Sequence, residues 1–332
     1  MRIFLAGDHV TGTGPANVTK YYIENLPEGT LYQKSRNKLL RAIEIAINTL
    51  RCDVAVYSGY SKQNILGMEL SKRLKKPCAY IFHGCVEYEN GINLEPDEEM
   101  TRVERKTLEL ADLIICVSES FCDWAKEYYP MFANKIDHVT NGLDTKPSGV
   151  LKDQAERDRH MILSVGGGMP RKKIVHICEA VELLRRNYDP DMYVCVIGAK
   201  GADTPEIDAF SHVKDLGVVS HEEASRLFEK AGLYVQNSCF ETFALAPLEA
   251  LGMGCSILCS REVGALSLIK DLKSGDVIER YDDPEEIAEK IKAILEDPNA
   301  RRLADSIEWE RGSWKERSRE LTEKLSKLVL KR

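Results

Sequence analysis

Short runs of apolar residues alternate along this chain with longer segments whose apolar positions recur every three to four residues. A fully apolar run of four to six residues fits a strand buried on both faces, and the longer period fits an amphipathic helix. In the first half the predicted strands are Ile3–Ala6, Val54–Ser58, Ala79–Phe82, Leu113–Val117 and Ile136–Val139, with helices over Lys38–Leu50 and Met100–Leu110 among the segments between them. The pattern then restarts, with strands at Met161–Val165, Tyr193–Ile197, Val213–Val218, Leu233–Gln236 and Ser256–Leu258. Strand and helix in alternation point to parallel sheets, and two such series point to two doubly wound α/β domains. The interval between them, Asp144–Gly149 followed by Lys152–Arg159, is polar, carries Pro and Gly, and has no apolar stripe. It reads as the linker. The predicted division is 1–147 and 148–312, with a last helix over 313–332. Helix starts are legible at Asp283-Pro-Glu-Glu286 and Ser220-His-Glu-Glu223, where an N-cap side chain precedes an acid three residues on.

The bulk composition narrows the class. With 332 residues the chain is long enough for two cores, and 43% hydrophobic with 30% charged residues describes a globular protein. A formal net charge of -7 argues against a dedicated nucleic-acid binder, which needs a basic surface. The ten cysteines form no CxxC pair and lie mostly in apolar runs, so they are expected to be free thiols in a reducing, cytoplasmic setting. No stretch approaches the ~20 apolar residues of a membrane span.

The densest chemistry lies in Ser238–Gly254. A strand is followed by a short loop and a helix whose Pro247 must sit in the first turn, which starts the helix near Phe243–Leu245. The free N–H groups of such a turn suit phosphate oxygens. Glu241 before the turn and Glu249 just inside it are misplaced for an anion alone, but suit hydroxyl donors such as those of a sugar. A second station, Gly166-Gly-Gly-Met-Pro-Arg-Lys-Lys173, joins a glycine run, which permits close backbone approach to a ligand, to a basic cluster.

Glu241 and Glu249, embedded in Glu-Thr-Phe-Ala-Leu-Ala-Pro-Leu-Glu-Ala, resemble the E-x7-E motif of family 4 of the retaining glycosyltransferases. That resemblance implies the GT-B fold, two doubly wound Rossmann-like domains facing a central cleft, and a nucleotide-diphosphate sugar as co-substrate with no further cofactor and no metal. It implies that Glu241 holds hydroxyls of the donor sugar, Glu249 the ribose, and the backbone of Phe243, Ala244 and Leu245 the diphosphate. Lys172 matches the family's phosphate lysine. The family's arginine position is taken by Gly167, and Arg171 is the candidate replacement. Gly12 and Gly14, between the first strand and helix, match the family's phosphate and acceptor loop, and His83 in Phe82-His-Gly84 its histidine beside the reacting sugar. Ala111–Glu119, Asn141-Gly-Leu-Asp144, Leu216–Ser220 and Ser313-Trp314 follow in the family's order, and the resemblance is densest over residues 161–270.

The expected function is therefore a retaining, metal-independent hexosyltransferase-type enzyme passing a sugar to a glycan or lipid-linked acceptor, in cell-surface polysaccharide or glycolipid synthesis. The alternatives are a non-catalytic GT-B partner subunit and a GT-B sugar-nucleotide epimerase. A dehydrogenase is disfavoured because no clean G-x-G-x-x-G follows the first strand. Asp189-Pro-Asp191 reads as a turn and not as a metal site. One segment carries two readings. Lys34, Arg36, Lys38 and Arg41 crowd the start of a helix with an apolar stripe through Leu39, Ile43, Ala46, Ile47 and Leu50. The stripe either packs on the core, leaving a solvated basic end, or docks peripherally on an anionic membrane surface at the inner face of the membrane.

Overall fold

The computed structural model describes residues 1–143 and 156–331. The expected linker over 144–155, and the 147/148 boundary with it, lie outside the described residues. Among those described, 1–88, 96–143 and 310–331 make one compact unit, and 89–95 with 156–309 make a second.

The first unit runs β1 (Ile3–Gly7), α1 (Gly14–Asn25), β2 (Leu31–Tyr32), α2 (Lys38–Arg51), β3 (Val54–Ser58), α3 (Lys62–Arg73), β4 (Cys78–Phe82), the start of α4 (Val86–Ile92), α5 (Glu98–Leu110), β5 (Leu113–Cys116), α6 (Glu119–Tyr128) and β6 (Ile136–His138). Its six strands pair in parallel in the order β2-β1-β3-β4-β5-β6. Every residue of β1, β3 and β4 is buried, as expected of central strands covered by helices on both faces. The edge strand β2 has only two residues, too few for an alternation signal, and the sequence pattern did not reveal it.

The second unit runs β7 (Asp158–Val165), α7 (Ile174–Asn187), β8 (Tyr193–Ile197), α8 (Thr204–Asp208), β9 (Val213–Asp215), α9 (His221–Lys230), β10 (Ala231–Gln236), α10 (Ala246–Gly252), β11 (Ser256–Ser260), β12 (Val277–Ile278), α11 (Pro284–Glu296) and α12 (Ala300–Asp305). Its parallel order is β12-β11-β10-β7-β8-β9. The core lies between this sheet and α7 and α11, through Ile162, Ile177, Val181, Val235, Ile287 and Ile291. Each such fully buried Ile or Val stabilises the fold by roughly 1.5–3 kcal/mol. The expected strand over Val213–Val218 stops at Asp215. Its carboxylate takes the Gly217 N–H at 2.8 Å, and Gly217, at φ 65°, turns the chain away. Capping follows the sequence: Asp283 accepts from Glu285 and Glu286, and Ser220 from Glu223.

The last helix, α13 (Trp314–Leu330), packs on α1 in the first unit. Trp314 is buried, stacked on Tyr21 at 4.8 Å and edge-on to Tyr22 at 5.4 Å. A side chain at Gly142 would collide with the Trp314 ring, and the Leu143 N–H donates to the Gly312 carbonyl at 2.9 Å. Asn141-Gly-Leu and Ser313-Trp314, remote in sequence, are thus one packing unit.

The stripe on α2 does not face a core. Only Ile45 and Thr49 of this helix are buried, while Leu39 is 70% exposed, Ile43 49%, Ile47 48% and Leu50 57%. The reading in which this stripe packs on the core is corrected accordingly. The sequence period marks the helix as amphipathic, but β1 and α3 take up its other side.

Candidate active site

In a doubly wound sheet, ligands bind beyond the carboxyl ends of the strands where the strand order reverses. In the second sheet that point lies between β7 and β10. The two predicted stations of this unit are the segments leaving those two strands.

After β7 the chain makes a tight glycine turn. Gly166 and Gly167 have φ of 145° and 56°, and their N–H groups donate to the Ile197 carbonyl at 2.8 and 3.1 Å. A Cβ at Gly167 would collide with the Ala199 carbonyl, and one at Gly166 with the Lys172 stem. The run is therefore required by the close approach of the segment after β8, and an arginine side chain has no room at Gly167. The turn passes into a short 3-10 helix, Pro170–Lys172, then a left-handed Lys173 at φ 50°, then α7. This delivers Arg171 and Lys172 toward β10.

After β10 the chain continues through Asn237 and Ser238, both buried, to Glu241, whose side chain is 9% exposed. Lys172 Nζ forms an ion pair with Glu241 Oε2, and Arg171 NH1 reaches the same oxygen at 3.3 Å. Gln236 Nε2 approaches it at 3.5 Å while donating to Ser238 Oγ at 2.8 Å. Arg171 is fixed further. Glu89 Oε2 lies 3.5 Å from its NH2, Asn93 Oδ1 accepts its backbone N–H at 3.2 Å, and its carbonyl accepts from Cys239 N at 2.9 Å. Its buried Nε has no hydrogen-bond partner among the described residues.

Burial opposes the charge of Glu241, but Lys172 and Arg171 outweigh it and hold the carboxyl below the usual carboxylate range. For Arg171 the order is the same: burial opposes the charge, and Glu241 and Glu89 push the guanidinium further up. Lys172 goes the other way, lowered by burial and by its cationic neighbour Arg171 despite Glu241. Two cations and two carboxylates, Glu89 included, make this a balanced buried cluster.

Beyond Glu241 the loop contains a left-handed Ala244 at φ 64°, and α10 begins at Ala246 instead of within Phe243–Leu245. Phe243 is buried and its carbonyl accepts from Ala265 at 2.8 Å. Leu245 is the N-cap, and Glu249 lies in the first turn. Glu241 and Glu249 both act electrostatically on the buried Tyr234 hydroxyl, which hydrogen-bonds Gln236. Sequence reasoning missed Glu89 and Gln236. Gln236 left a signal, a polar residue ending an apolar strand; Glu89 left none, since only the tertiary fold brings it to Arg171.

In the first sheet the order reverses between β1 and β3. His83, just after β4, meets Ser58 at the end of β3 with Nε2 2.8 Å from Oγ, and Ser58 meets Thr19 of α1 at 2.7 Å. Gly7 permits this, since a Cβ there would press on Ser58 at 2.8 Å. Burial lowers His83 to about 4, so it is a neutral imidazole at physiological pH. Gly12, at φ 75°, and Gly14, the first residue of α1, border open space. Asp189-Pro-Asp191 is a turn, with Asp191 N–H on Asp189 Oδ1 at 3.0 Å. Ligand atoms of His160, Asp189 and Asp191 lie within 4.8 Å of one another, but at the amino-terminal ends of β7 and β8, opposite Glu241.

The chain matches two family models, Glycosyltransferase Family 4 over residues 7–147 and Glycosyl transferases group 1 over 151–307. Together they span nearly all of it, and the chain belongs to family 4 of the glycosyltransferases, of GT-B fold. It is 25% identical over 288 residues to D-inositol 3-phosphate glycosyltransferase of Paenarthrobacter aurescens, covering 77% of this chain and 70% of that one. It is 24% identical over 230 residues to alpha-maltose-1-phosphate synthase of Mycolicibacterium smegmatis, covering 60% of this chain and 58%, less than two thirds, of that relative. Among solved structures, HepE of Anabaena in complex with UDP and glucose superposes with a TM-score of 0.72 at 14% identity, covering 98% of this chain and 99% of that one. Sucrose-phosphate synthase of Thermosynechococcus elongatus gives 0.70 at 17% identity, covering 100% of both chains. These structural likenesses speak for the fold.

Proposed function

We propose that this chain is a retaining, metal-independent glycosyltransferase that takes a sugar from a nucleoside-diphosphate sugar and passes it to a glycan or lipid-linked acceptor. The observation that carries the reading is Glu241, buried and ionised between Lys172 and Arg171 at the strand-order reversal of the second sheet. The donors to Glu241 converge on Oε2, so Oε1 is the oxygen assigned to a hydroxyl of the donor sugar. Departure of the nucleoside diphosphate breaks the bond from the anomeric carbon to the phosphate oxygen. Lys172 and Arg171 stabilise the charge that develops there by their positive charge. The backbone of Phe243, Ala244 and Leu245 supports the same phosphates, and Glu249 takes the ribose. The acceptor oxygen bonds to the anomeric carbon from the face the phosphate leaves, and its proton passes to the departing phosphate oxygen. Glu241 then has no nucleophilic role. For His83, neutral and held by Ser58 within the first unit, the family resemblance supports a role as a hydrogen-bonding partner of a sugar hydroxyl.

HepE has been solved with UDP-glucose, which makes UDP-glucose the first donor to test in a panel of nucleotide sugars. Nucleotide release by the purified chain, with and without EDTA and with both glycan and lipid-linked acceptors, is the measurement. Release should be unchanged by EDTA and fall by about 100-fold in Glu241→Ala. Release by Glu241→Ala at the wild-type rate would remove its role, and loss of release in EDTA would overturn metal independence. Isomerisation of a donor without acceptor would replace transfer by epimerisation.

A further inference from the structure

The exposed face of α2 is the feature that transfer chemistry does not use. Leu39, Leu40, Ile43, Ile47 and Leu50 present an unbroken apolar stripe to solvent along the whole helix. Beside it, between α2 and the edge strand β2, lies a groove of about 420 Å³ whose lining includes Tyr32, Leu40, Ile43, Ile47 and Arg51. Contiguous exposed apolar surface on a soluble unit marks a contact with something apolar. The helix does not lack packing, since Ile45 and Thr49 on its other side are fully buried.

The charge around the stripe selects the partner. Residues 31–51 carry five basic side chains, Lys34, Arg36, Lys38, Arg41 and Arg51, and a single acid, Glu44, in a chain of net charge -7. Glu44 is spent locally, accepting the backbone N–H groups of Lys34 and Ser35 at 2.9 and 2.8 Å, which folds the basic loop back onto α2. Arg41 turns inward to Ser61 and Asn64, and Lys34, Arg36, Lys38 and Arg51 stay exposed. A second copy of this chain meeting the face by two-fold symmetry would set these like charges against each other. An apolar stripe with a basic rim instead matches the acyl and headgroup layers of an anionic bilayer. The geometry points to α2 as an interfacial helix that docks this protein on the surface of a membrane containing anionic lipid, with the stripe at acyl depth and the four exposed cations among the headgroups. This stands on α2 alone and holds whether or not the chain transfers sugar.

The test is sedimentation of the full chain with phosphatidylcholine vesicles, with and without phosphatidylglycerol, at low and high salt. The wild type should partition onto the phosphatidylglycerol vesicles, weakly onto phosphatidylcholine alone, and less at high salt. Ile43→Ser/Ile47→Ser should lower that partition by at least about tenfold, and Lys34→Glu/Lys38→Glu should do the same and remove the salt dependence. Both double variants change exposed positions, and an unchanged thermal transition would show that they fold. Wild type that ignores phosphatidylglycerol, or Ile43→Ser/Ile47→Ser that binds as well as wild type, would overturn the inference. So would a wild-type dimer in sedimentation velocity that the Ile43→Ser/Ile47→Ser change dissociates, which would assign the face to a second copy.

Discussion

Helices α2 and α7 are each fourteen residues long, and each follows a parallel strand in its own sheet. Helix α7 buries Ile174, Val175, Ile177, Cys178, Ala180, Val181 and Leu184; α2 buries Ile45 and Thr49. The difference lies in what each helix meets. Helix α7 is clasped between its sheet and α11, whereas α2 rests on α3 and β1 near an edge strand of two residues and keeps its other side in solvent. Amphipathic periodicity is a property of one helix, while the destination of its apolar face is a property of the neighbours.

The contrast can be broken by mutation. Ile177→Ala, in the core of the second unit, should cost about 4 kcal/mol through lost burial and the cavity it leaves, read from the urea midpoint. A cost near zero would mean that α7 is not the core helix it appears beside α2.

The next largest effect concerns the buried charges at the amino-terminal side of α7. Lys172→Met leaves Glu241 with Arg171 alone and should destabilise by about 3 kcal/mol at neutral pH. Because the Glu241 carboxyl is held below its usual range, its ion pair contributes above the unfolded carboxylate value of about 4.3 and is lost as pH falls through the lower folded value. The deficit of Lys172→Met should therefore shrink in acid, and equal deficits at neutral and acid pH would contradict the pairing.

On α2 the expectation is the opposite of that on α7. Ile47→Ala should change stability by less than about 1 kcal/mol, since about half of its surface is already in water. A large cost there would show a buried face.

The smallest effect sharpens the comparison of the two site histories. Glu241 is almost wholly enclosed with cations beside it and stays ionised, whereas His83 is part-buried beside a hydroxyl and stays neutral. The His83 ring should titrate near 4 in an NMR pH series, and a midpoint near 6.5 would contradict its burial.

Much of the site could be named before any coordinates. Lys172 and Glu241 carry family-like spacing, Arg171 was the available cation nearby, and the fold brings all three onto one another. The glycine run was legible as a tight turn, but not its purpose. Gly167 is required by the Ala199 carbonyl, a contact with the segment after another strand. Glu89 was out of reach for the same reason, lying more than eighty residues from Arg171 in the chain.

The sequence by itself determined the alternation of strands and helices, the restart into a second α/β series, the caps at Ser220 and Asp283, and membership of a glycosyltransferase family. These follow from side-chain period, backbone restriction and short motifs, all properties of neighbouring residues. The tertiary structure alone decided that the α2 stripe faces solvent, that Glu89 joins Arg171, that Oε2 of Glu241 is the oxygen taken by the cations, and that the Trp314 ring closes on Gly142. Each of those depends on which distant segments the parallel crossovers bring side by side, and no local pattern encodes the identity of a distant neighbour.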